Sequence, residues 1–350
     1  MVLAASTLLD KYGNVFQEIE RDNFNIAARV YMVIEGENPV TSAKTVGIGL
    51  IELATVFDNL KPDVVVTVAD RYETMSTALA AVNMNIPLVH IQGGEVSGSI
   101  DEKIRHAVTK LADYHFAASE AAEQRIIKMG EERSRVFMTG CPSIDIARDI
   151  LSKPELDFSP ADKYGGVGYE IDMSGGYIIV MQHPVTTEYL EARQQIRETL
   201  EAVKQIGIQT FWFWPNVDAG SDMVSKGIRS FRELEKPKNI HFFKNFTPED
   251  FLRLLYNSKG IVGNSSVAIR ECSFLGVPAV NIGSRQSGRE YGKNVINVGY
   301  DRGEIIDAVS RHLRNGRYPG EKIYGDGRSG KRIADLLAKL EMSLKKRIAY

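Results

Sequence analysis

The chain has 350 residues, 43% hydrophobic and 25% charged, with a formal net charge of -2. That length exceeds what one hydrophobic core ordinarily serves, so two domains are expected, and the near-neutral charge argues against broad electrostatic binding of nucleic acid. Cys141 and Cys272 form no CxxC pair, so neither a disulfide framework nor a zinc site is suggested and both read as small core residues.

No run approaches the roughly 18 apolar residues of a membrane helix, and no secretory signal is visible. A cytoplasmic protein without a membrane partner is expected. Residues 2–5 read as a strand leading into Lys11-Tyr12-Gly13-Asn14. From residue 63 short apolar runs alternate with helical stretches. Strands are predicted at 63–69, 86–91, 114–118 and 135–140. Helices are predicted at 73–83, 101–112, 120–129 and 143–151. This is βαβ periodicity, which implies a parallel sheet covered on both faces. Residues 152–175, rich in proline and glycine, read as linker and surface loop.

The alternation then resumes. Strands are expected at 177–182, 210–214, 240–243, 260–262 and 279–282, and helices at 187–206, 223–234, 248–257 and 266–275. Thr247-Pro248-Glu249-Asp250 carries a capping hydroxyl, a first-position proline and first-turn acids, a strong helix start. An amphipathic helix over 331–345 follows. The predicted class is α/β with two doubly wound, Rossmann-like domains and a cleft between them. The first covers 1–152 and is rejoined by 331–350; the second covers 172–330.

In doubly wound sheets, ligands bind beyond the carboxyl ends of the strands. Those ends carry polar groups at several places here. Asp70-Arg71 follows one strand. His90-Ile91-Gln92-Gly93-Gly94-Glu95-Val96-Ser97-Gly98-Ser99-Ile100-Asp101, with Arg105 beyond, follows the next and combines a glycine turn with two carboxylates. Acids and a base placed so suit acid/base work on an anionic ligand. The second domain offers Gln182-His183-Pro184, Pro215-Asn216 and Gly263-Asn264-Ser265-Ser266. The helix expected at 266–275 would present its amides and the two serine hydroxyls to a phosphate, while Glu271 near its middle could hold a ribose diol. Arg285 lies on a glycine-rich loop that could close over a ligand. Each feature alone has a structural explanation: a capped turn, a satisfied histidine, or core aromatics in the case of Trp212 and Trp214. Their recurrence at strand ends supports a nucleotide-diphosphate ligand bridging two domains, the glycosyltransferase-B arrangement.

These residues resemble the UDP-N-acetylglucosamine 2-epimerase family, specifically its hydrolysing branch in sialic- and legionaminic-acid biosynthesis. The resemblance runs through Gly93-Gly94-Glu95-Val96-Ser97-Gly98, Gln182-His183-Pro184-Val185-Thr186-Thr187, Asn216-Val217-Asp218-Ala219-Gly220, Gly263-Asn264-Ser265-Ser266 and Lys322-Ile323-Tyr324-Gly325-Asp326-Gly327. It implies elimination of UDP to a 2-acetamidoglucal and addition of water to give N-acetylmannosamine, with no metal and no nicotinamide or other cofactor. Asp70 and Asp101 match acid/base positions and Arg105 a supporting arginine. Arg71, His183, Asn216, Ser265, Ser266, Glu271 and Arg285 match positions that hold UDP, with Asn264 inside the same motif. A homodimer or homotetramer is expected.

Two departures stand out. The glutamate of the family's His-x-Glu-Gly-Gly motif falls on Gln92, which cannot take a proton at neutral pH. Glu95 or Asp101 then takes that role, or the substrate is a UDP-2,4-diacetamido-2,4,6-trideoxyglucose. The family also opens with a strand and helix bearing a Gly-Thr-Arg-type motif, whereas 2–5 matches its second strand. The resemblance implies about thirty further residues upstream, one βα unit, or a chain impaired in UDP binding. A sheet without that strand would expose unpaired edges and apolar surface. Readings of other kinds are a retaining glycosyltransferase, a nonhydrolysing epimerase and an inactive UDP-sugar binder.

Overall fold

A computed structural model of the chain describes residues 1–9, 15–36, 38–216 and 218–349. Lys11-Tyr12-Gly13-Asn14, Val217 and Tyr350 lie outside the described residues. The chain divides into two compact units, Met1–Asp145 with Tyr324–Tyr350, and Ile146–Ile323.

The first unit runs through β1 (Val2–Ala4), α1 (Val15–Arg21), β2 (Ala28–Val30), α2 (Pro39–Leu60), β3 (Val65–Val68) and α3 (Thr74–Asn83). It continues through β4 (Leu88–Ile91), α4 (Asp101–Leu111), β5 (Tyr114–Ala117), α5 (Glu120–Lys128) and β6 (Val136–Met138), and α6 (Ser143–Ile150) crosses into the second unit. Strands β1 and β2 form a parallel pair, and β3-β4-β5-β6 a separate parallel sheet in that order. Every residue of β4 and β5 is buried, as suits parallel strands covered on both faces. The edge strand β3 instead buries Val65 and Thr67 but leaves Val66 39% and Val68 48% exposed.

Helix α2 begins in a capping box. The Asn38 side chain accepts from the Val40 and Thr41 amides, the Thr41 hydroxyl accepts from Asn38 N, and proline takes the first position. Thr45, Gly49, Leu53 and Phe57, four residues apart, form its buried stripe, and Leu53 and Phe57 share a core with Val30, Met32 and Val65. By length and composition this helix could cross a membrane, which corrects the expectation that no run approaches that. Its apolar residues surround the helix, so that Val40 and Ile51 remain exposed while one stripe packs.

The second unit contains α7 (Pro160–Tyr164), β7 (Val167–Gly168), β8 (Tyr177–Met181), α8 (Ala192–Ile206), β9 (Gln209–Phe213), α9 (Ser221–Glu235) and β10 (Ile240–Phe243). After these come α10 (Pro248–Asn257), β11 (Gly260–Gly263), α11 (Glu271–Leu275), β12 (Ala279–Ile282), β13 (Val295–Val298) and α12 (Arg302–Asn315). One seven-stranded sheet in the order β13-β12-β11-β8-β9-β10-β7 joins them, parallel except for β7. Trp212 is fully buried, in a core with Val180, Ile196, Ile228, Phe242 and Val262.

Residues 152–175 prove more ordered than a linker. Ser159 caps α7 at the Asp162 amide, and Tyr164 stacks on Phe246 with ring centroids 3.9 Å apart while donating to Asp250 Oδ2 at 2.6 Å. Strand β7 then closes the sheet edge.

The last helix, α13 (Ser329–Leu337), belongs to the first unit and starts on Asp145, whose carboxylate accepts from the Ser329 and Gly330 amides at 2.8 and 2.7 Å. It is shorter than the helix expected over 331–345, because other elements take the backbone groups beyond it. The Tyr114 hydroxyl donates to Glu341 O at 2.9 Å, and Arg135 donates to Ser343 O and Lys345 O at 3.1 and 2.8 Å. Leu340 and Met342 pack beside Tyr114 and Phe116. Lys346 then reaches the buried Glu131 at 2.7 Å, which also binds Lys110 and lies 3.0 Å from His115 Nε2. The tail is a strap with a buried charged clasp.

Candidate active site

In the first unit, polar groups gather where β3 and β4 end. Ala69 and Gln92, the residues immediately following these strands, both have φ of 63° although neither is glycine. Such left-handed backbone is strained for an L-residue and marks positions where the surroundings dictate conformation. Ile91 O accepts from Ala69 N at 2.9 Å, and Phe116 O accepts from Gln92 N at 2.9 Å. The turn sets Asp70 against Arg105, with which it forms an ion pair; Arg105 is 1% exposed. A buried guanidinium needs such a counter-charge, and Glu102 stands 3.9 Å away on its other side.

The glycine loop follows. Gly94 has φ of 73°, and a Cβ there would strike Ala122 O of α5. Arg125 of the same helix donates to Gly94 O. Glu95 is buried at 4% exposure. Asp101 opens α4, and its Oδ2 accepts from the Ser99 hydroxyl at 2.7 Å. Glu102 accepts from Ser97 N at 2.6 Å and faces His106 Nε2 at 2.9 Å, tying the loop to the helix. Gln92 donates to Cys141 Sγ at 2.8 Å, and that sulfur lies 3.0 Å from Ser143 Oγ. Arg71 donates to Glu73 at 2.9 Å.

In the second unit, Asn264 binds two loops together. It is fully buried; its Oδ1 accepts from His183 N at 2.7 Å and its Nδ2 donates to His183 O at 2.8 Å. Its own carbonyl accepts from Gln286 and Arg285 at 2.8 and 3.2 Å. With its side-chain amide spent on the His183 backbone, Asn264 positions the loop. His183 Nδ1 accepts from Asn216 N at 3.1 Å, so a neutral His183 carries its proton on Nε2. Asn216 Nδ2 also donates to Asp218, which lies 3.8 Å from Arg285.

The helix expected at 266–275 is divided. Ser265 caps a single 3-10 turn, Ser266–Ala268, and α11 begins only at Glu271. Ala268 and Ile269, 1% and 0% exposed, turn into the core at that point and break the helical run. Glu271 therefore starts a helix and does not sit at its middle, and the amides at 266–268 belong to a tight turn. Ser266 Oγ accepts from Arg270 at 2.8 Å. Glu271 is 6% exposed and its buried Oε2 has no hydrogen-bond partner, an acceptor available to a donor such as a hydroxyl.

Asp70 is thus brought together with Arg105, and His183 with Asn216 and Asn264. Sequence reading passes over Glu188, which accepts from Ser284 and, at 2.7 Å, from Gln195, and over Gln286, which supports Asn264. The glycines at 283 and 288 that bound the Gln286 loop are the available signal. Among the described residues no group of three or more His, Cys, Asp or Glu could hold a metal ion.

Two α/β units built on parallel sheets, with polar groups at the strand carboxyl ends, define a glycosyltransferase-B-like fold. The chain belongs to the UDP-N-acetylglucosamine 2-epimerase family, whose model matches residues 1–338, and is an enzyme of that family. It is 32% identical to the UDP-N,N'-diacetylbacillosamine 2-epimerase (hydrolyzing) of Legionella pneumophila, over 93% of this chain and 84% of the relative. It is 31% identical to the UDP-N-acetylglucosamine 2-epimerase of Neisseria meningitidis, over 93% and 83%. The fold matches the crystal structure of the Methanocaldococcus jannaschii UDP-GlcNAc 2-epimerase in complex with UDP-GlcNAc and UDP, at a TM-score of 0.72 and 20% identity, covering 96% of this chain and 98% of that one.

Proposed function

We propose that the chain is a hydrolysing 2-epimerase that converts UDP-N-acetylglucosamine into N-acetylmannosamine and UDP. A carboxylate takes the proton from carbon 2; the electron pair forms the double bond between carbons 1 and 2, and the bond from carbon 1 to UDP breaks. Water then adds to the 2-acetamidoglucal, hydroxide at carbon 1 and a proton at carbon 2 from the opposite face. Asp70 and Asp101 are the acid/base groups, and Glu95 or Asp101 takes the role that the proton-inert Gln92 cannot. Arg105 holds Asp70, and Arg71, His183, Asn216, Ser265, Ser266, Glu271 and Arg285 hold UDP. The observation that carries the reading is the Asp70–Arg105 pair, set at a strand end by a strained turn.

The name of the Legionella relative favours a second reading, in which the donor is a UDP-2,4-diacetamido-2,4,6-trideoxyglucose. Proton NMR of each donor with the chain in heavy water decides. Free 2-epimer deuterated at carbon 2, appearing with UDP, supports the reaction, and the faster donor names the substrate. A mixture of UDP-sugars without free UDP indicates a nonhydrolysing epimerase. Release of UDP only with a sugar acceptor present indicates a transferase. Binding without turnover of either donor indicates a UDP-sugar binder. The proposal includes a cytoplasmic homodimer or homotetramer, read by cell fractionation and light scattering.

A further inference from the structure

The strained turn that carries Asp70 is also fastened by His90, through the backbone of Ala69. His90, fully buried in β4, lies with Nε2 2.8 Å from Ala69 O and Nδ1 3.1 Å from Thr109 Oγ1. A carbonyl only accepts, so Nε2 carries the proton and the Thr109 hydroxyl donates to Nδ1. Burial holds the ring neutral, pulling its pKa down to about 4 against the opposing bond to Ala69. With Ala69 N already bonded to Ile91 O, both backbone polar groups of Ala69 are occupied by β4, which is how a left-handed non-glycine residue is held. The glycine loop leaves space for this pair, since a Cβ at Gly93 would lie 2.8 Å from Thr109 Oγ1 and 2.9 Å from His90 Nδ1. Thr109 stands one turn beyond Arg105. Helix α4 therefore reaches Asp70 twice, through the Arg105 ion pair and through Thr109, His90 and the Ala69 carbonyl.

We propose that His90, oriented by Thr109, is a positioning residue for Asp70: its Nε2–H bond to the Ala69 carbonyl locks the turn that aims the carboxylate at the sugar. This rests on the reading of Asp70 as an acid/base group in 2-epimerisation and extends that reading to the support behind it. A histidine that merely filled the core would be replaceable by any ring of similar size. A positioning histidine is replaceable only by a side chain that donates to the same carbonyl.

The test uses the full chain with both donors, and expresses kcat per folded site counted by UDP titration. His90→Phe keeps a ring and loses the donor; kcat falls about 30- to 100-fold, the scale of a misplaced catalytic group, with KM and UDP affinity within about threefold. His90→Gln, whose terminal amide can donate to Ala69 O, recovers kcat to within about fivefold of the parent, and Thr109→Val falls between the two. A His90→Phe chain within about threefold of the parent, or a His90→Gln chain no better than His90→Phe, overturns the inference. So does a common loss of kcat, KM and UDP affinity, which is the mark of a structural role. If His90→Phe fails to fold, a Thr109→Val chain with parental kcat overturns it. Long-range nitrogen NMR reads the ring without turnover: the Nε2–H tautomer is expected, and an Nδ1–H tautomer in an active chain overturns this inference alone. A parent chain that turns over neither donor overturns the epimerase reading and the positioning role with it.

Discussion

Seven strands of the second unit join into one sheet around a buried tryptophan, while the strands of the first separate into a pair and a quartet with β3 partly uncovered. The contrast extends to charge. The second unit fixes its polar strand ends with side-chain-to-backbone bonds, as Asn264 does for His183. Both units bury ionisable groups, but the first includes three that are 1% exposed or less, Arg105, His90 and His115. A continuous sheet suits the holding of a nucleotide, whose recognition depends on fixed donors and acceptors. Buried charge suits proton transfer, because a carboxylate is tuned most strongly where water is scarce. The proposed division of labour between the units can be tested from either side.

The largest effect is expected in the first unit. Asp70→Asn should lower the rate of carbon-2 deuterium incorporation by about 10²- to 10⁴-fold, and leave UDP affinity by calorimetry unchanged. A variant with near-parental exchange would remove Asp70 from the chemistry. Asp101→Asn should behave in the same way.

Acid should loosen the first unit first. Burial lowers the pKa of His90 to about 4 and also lowers that of His115. The unfolded chain then binds more protons below about 6.5, and stability falls as the pH drops from there toward 4. The His90 shift alone corresponds to roughly 3 kcal/mol. Glu131 is buried, which would raise its pKa, yet its bonds to His115, Lys110 and Lys346 outweigh burial and lower it to about 2. Its stabilisation is present above 4.5 and lost as the pH falls from there to about 2. In the second unit burial lowers His312 in the same direction. Both tryptophans, Trp212 and Trp214, lie in that unit. Between pH 6.5 and 4, the protection of β3 to β6 against hydrogen exchange, relative to the intrinsic rate at each pH, should fall before tryptophan fluorescence changes; the reverse order would refute the contrast.

Removing the residues proposed to hold UDP should cost less. Glu271→Gln, or Ser266→Ala with Arg285→Ala, should weaken UDP binding about 10- to 100-fold with kcat at saturation nearly unchanged. A loss of kcat at constant UDP affinity would place these residues with the chemistry.

The smallest effects lie on α2. A Cβ at Gly47 meets nothing within 4 Å, so Gly47→Ala should stabilise by about 0.5–1 kcal/mol. A Cβ at Gly49 would run into Met32 and lie 2.8 Å from Ser76 Oγ, so Gly49→Ala should destabilise by about 1–3 kcal/mol. Chemical denaturation of the two variants reads the sign, and equal shifts would mean that α2 does not pack as described.

What the sequence reveals follows the range of the forces involved. Residues 88–91 and 114–117 are legible as strands because burial on both faces demands unbroken apolar runs. The placement of Asp70 after a strand and of Asp101 at a helix start is legible because apolar runs and helix-start residues mark those boundaries. Helix α2 escapes notice, since glycines at 47 and 49 and β-branched residues around them mimic neither helical nor strand period. Residues 160–168 look like a linker because their order comes from partners such as Phe246 and Asp250 far along the chain. The left-handed turns at Ala69 and Gln92 leave no local trace at all. Neither residue favours that conformation, and the bonds that impose it come from neighbouring strands.

The strap also has a consequence for biosynthesis. The two stretches of the first unit, Met1–Asp145 and Tyr324–Tyr350, are separated by the entire second unit. A ribosome therefore completes the seven-stranded sheet before it delivers Ser329 to Asp145 or Lys346 to Glu131. The second unit can settle during translation, whereas the first, which bears Asp70, waits for Lys346 to join Glu131.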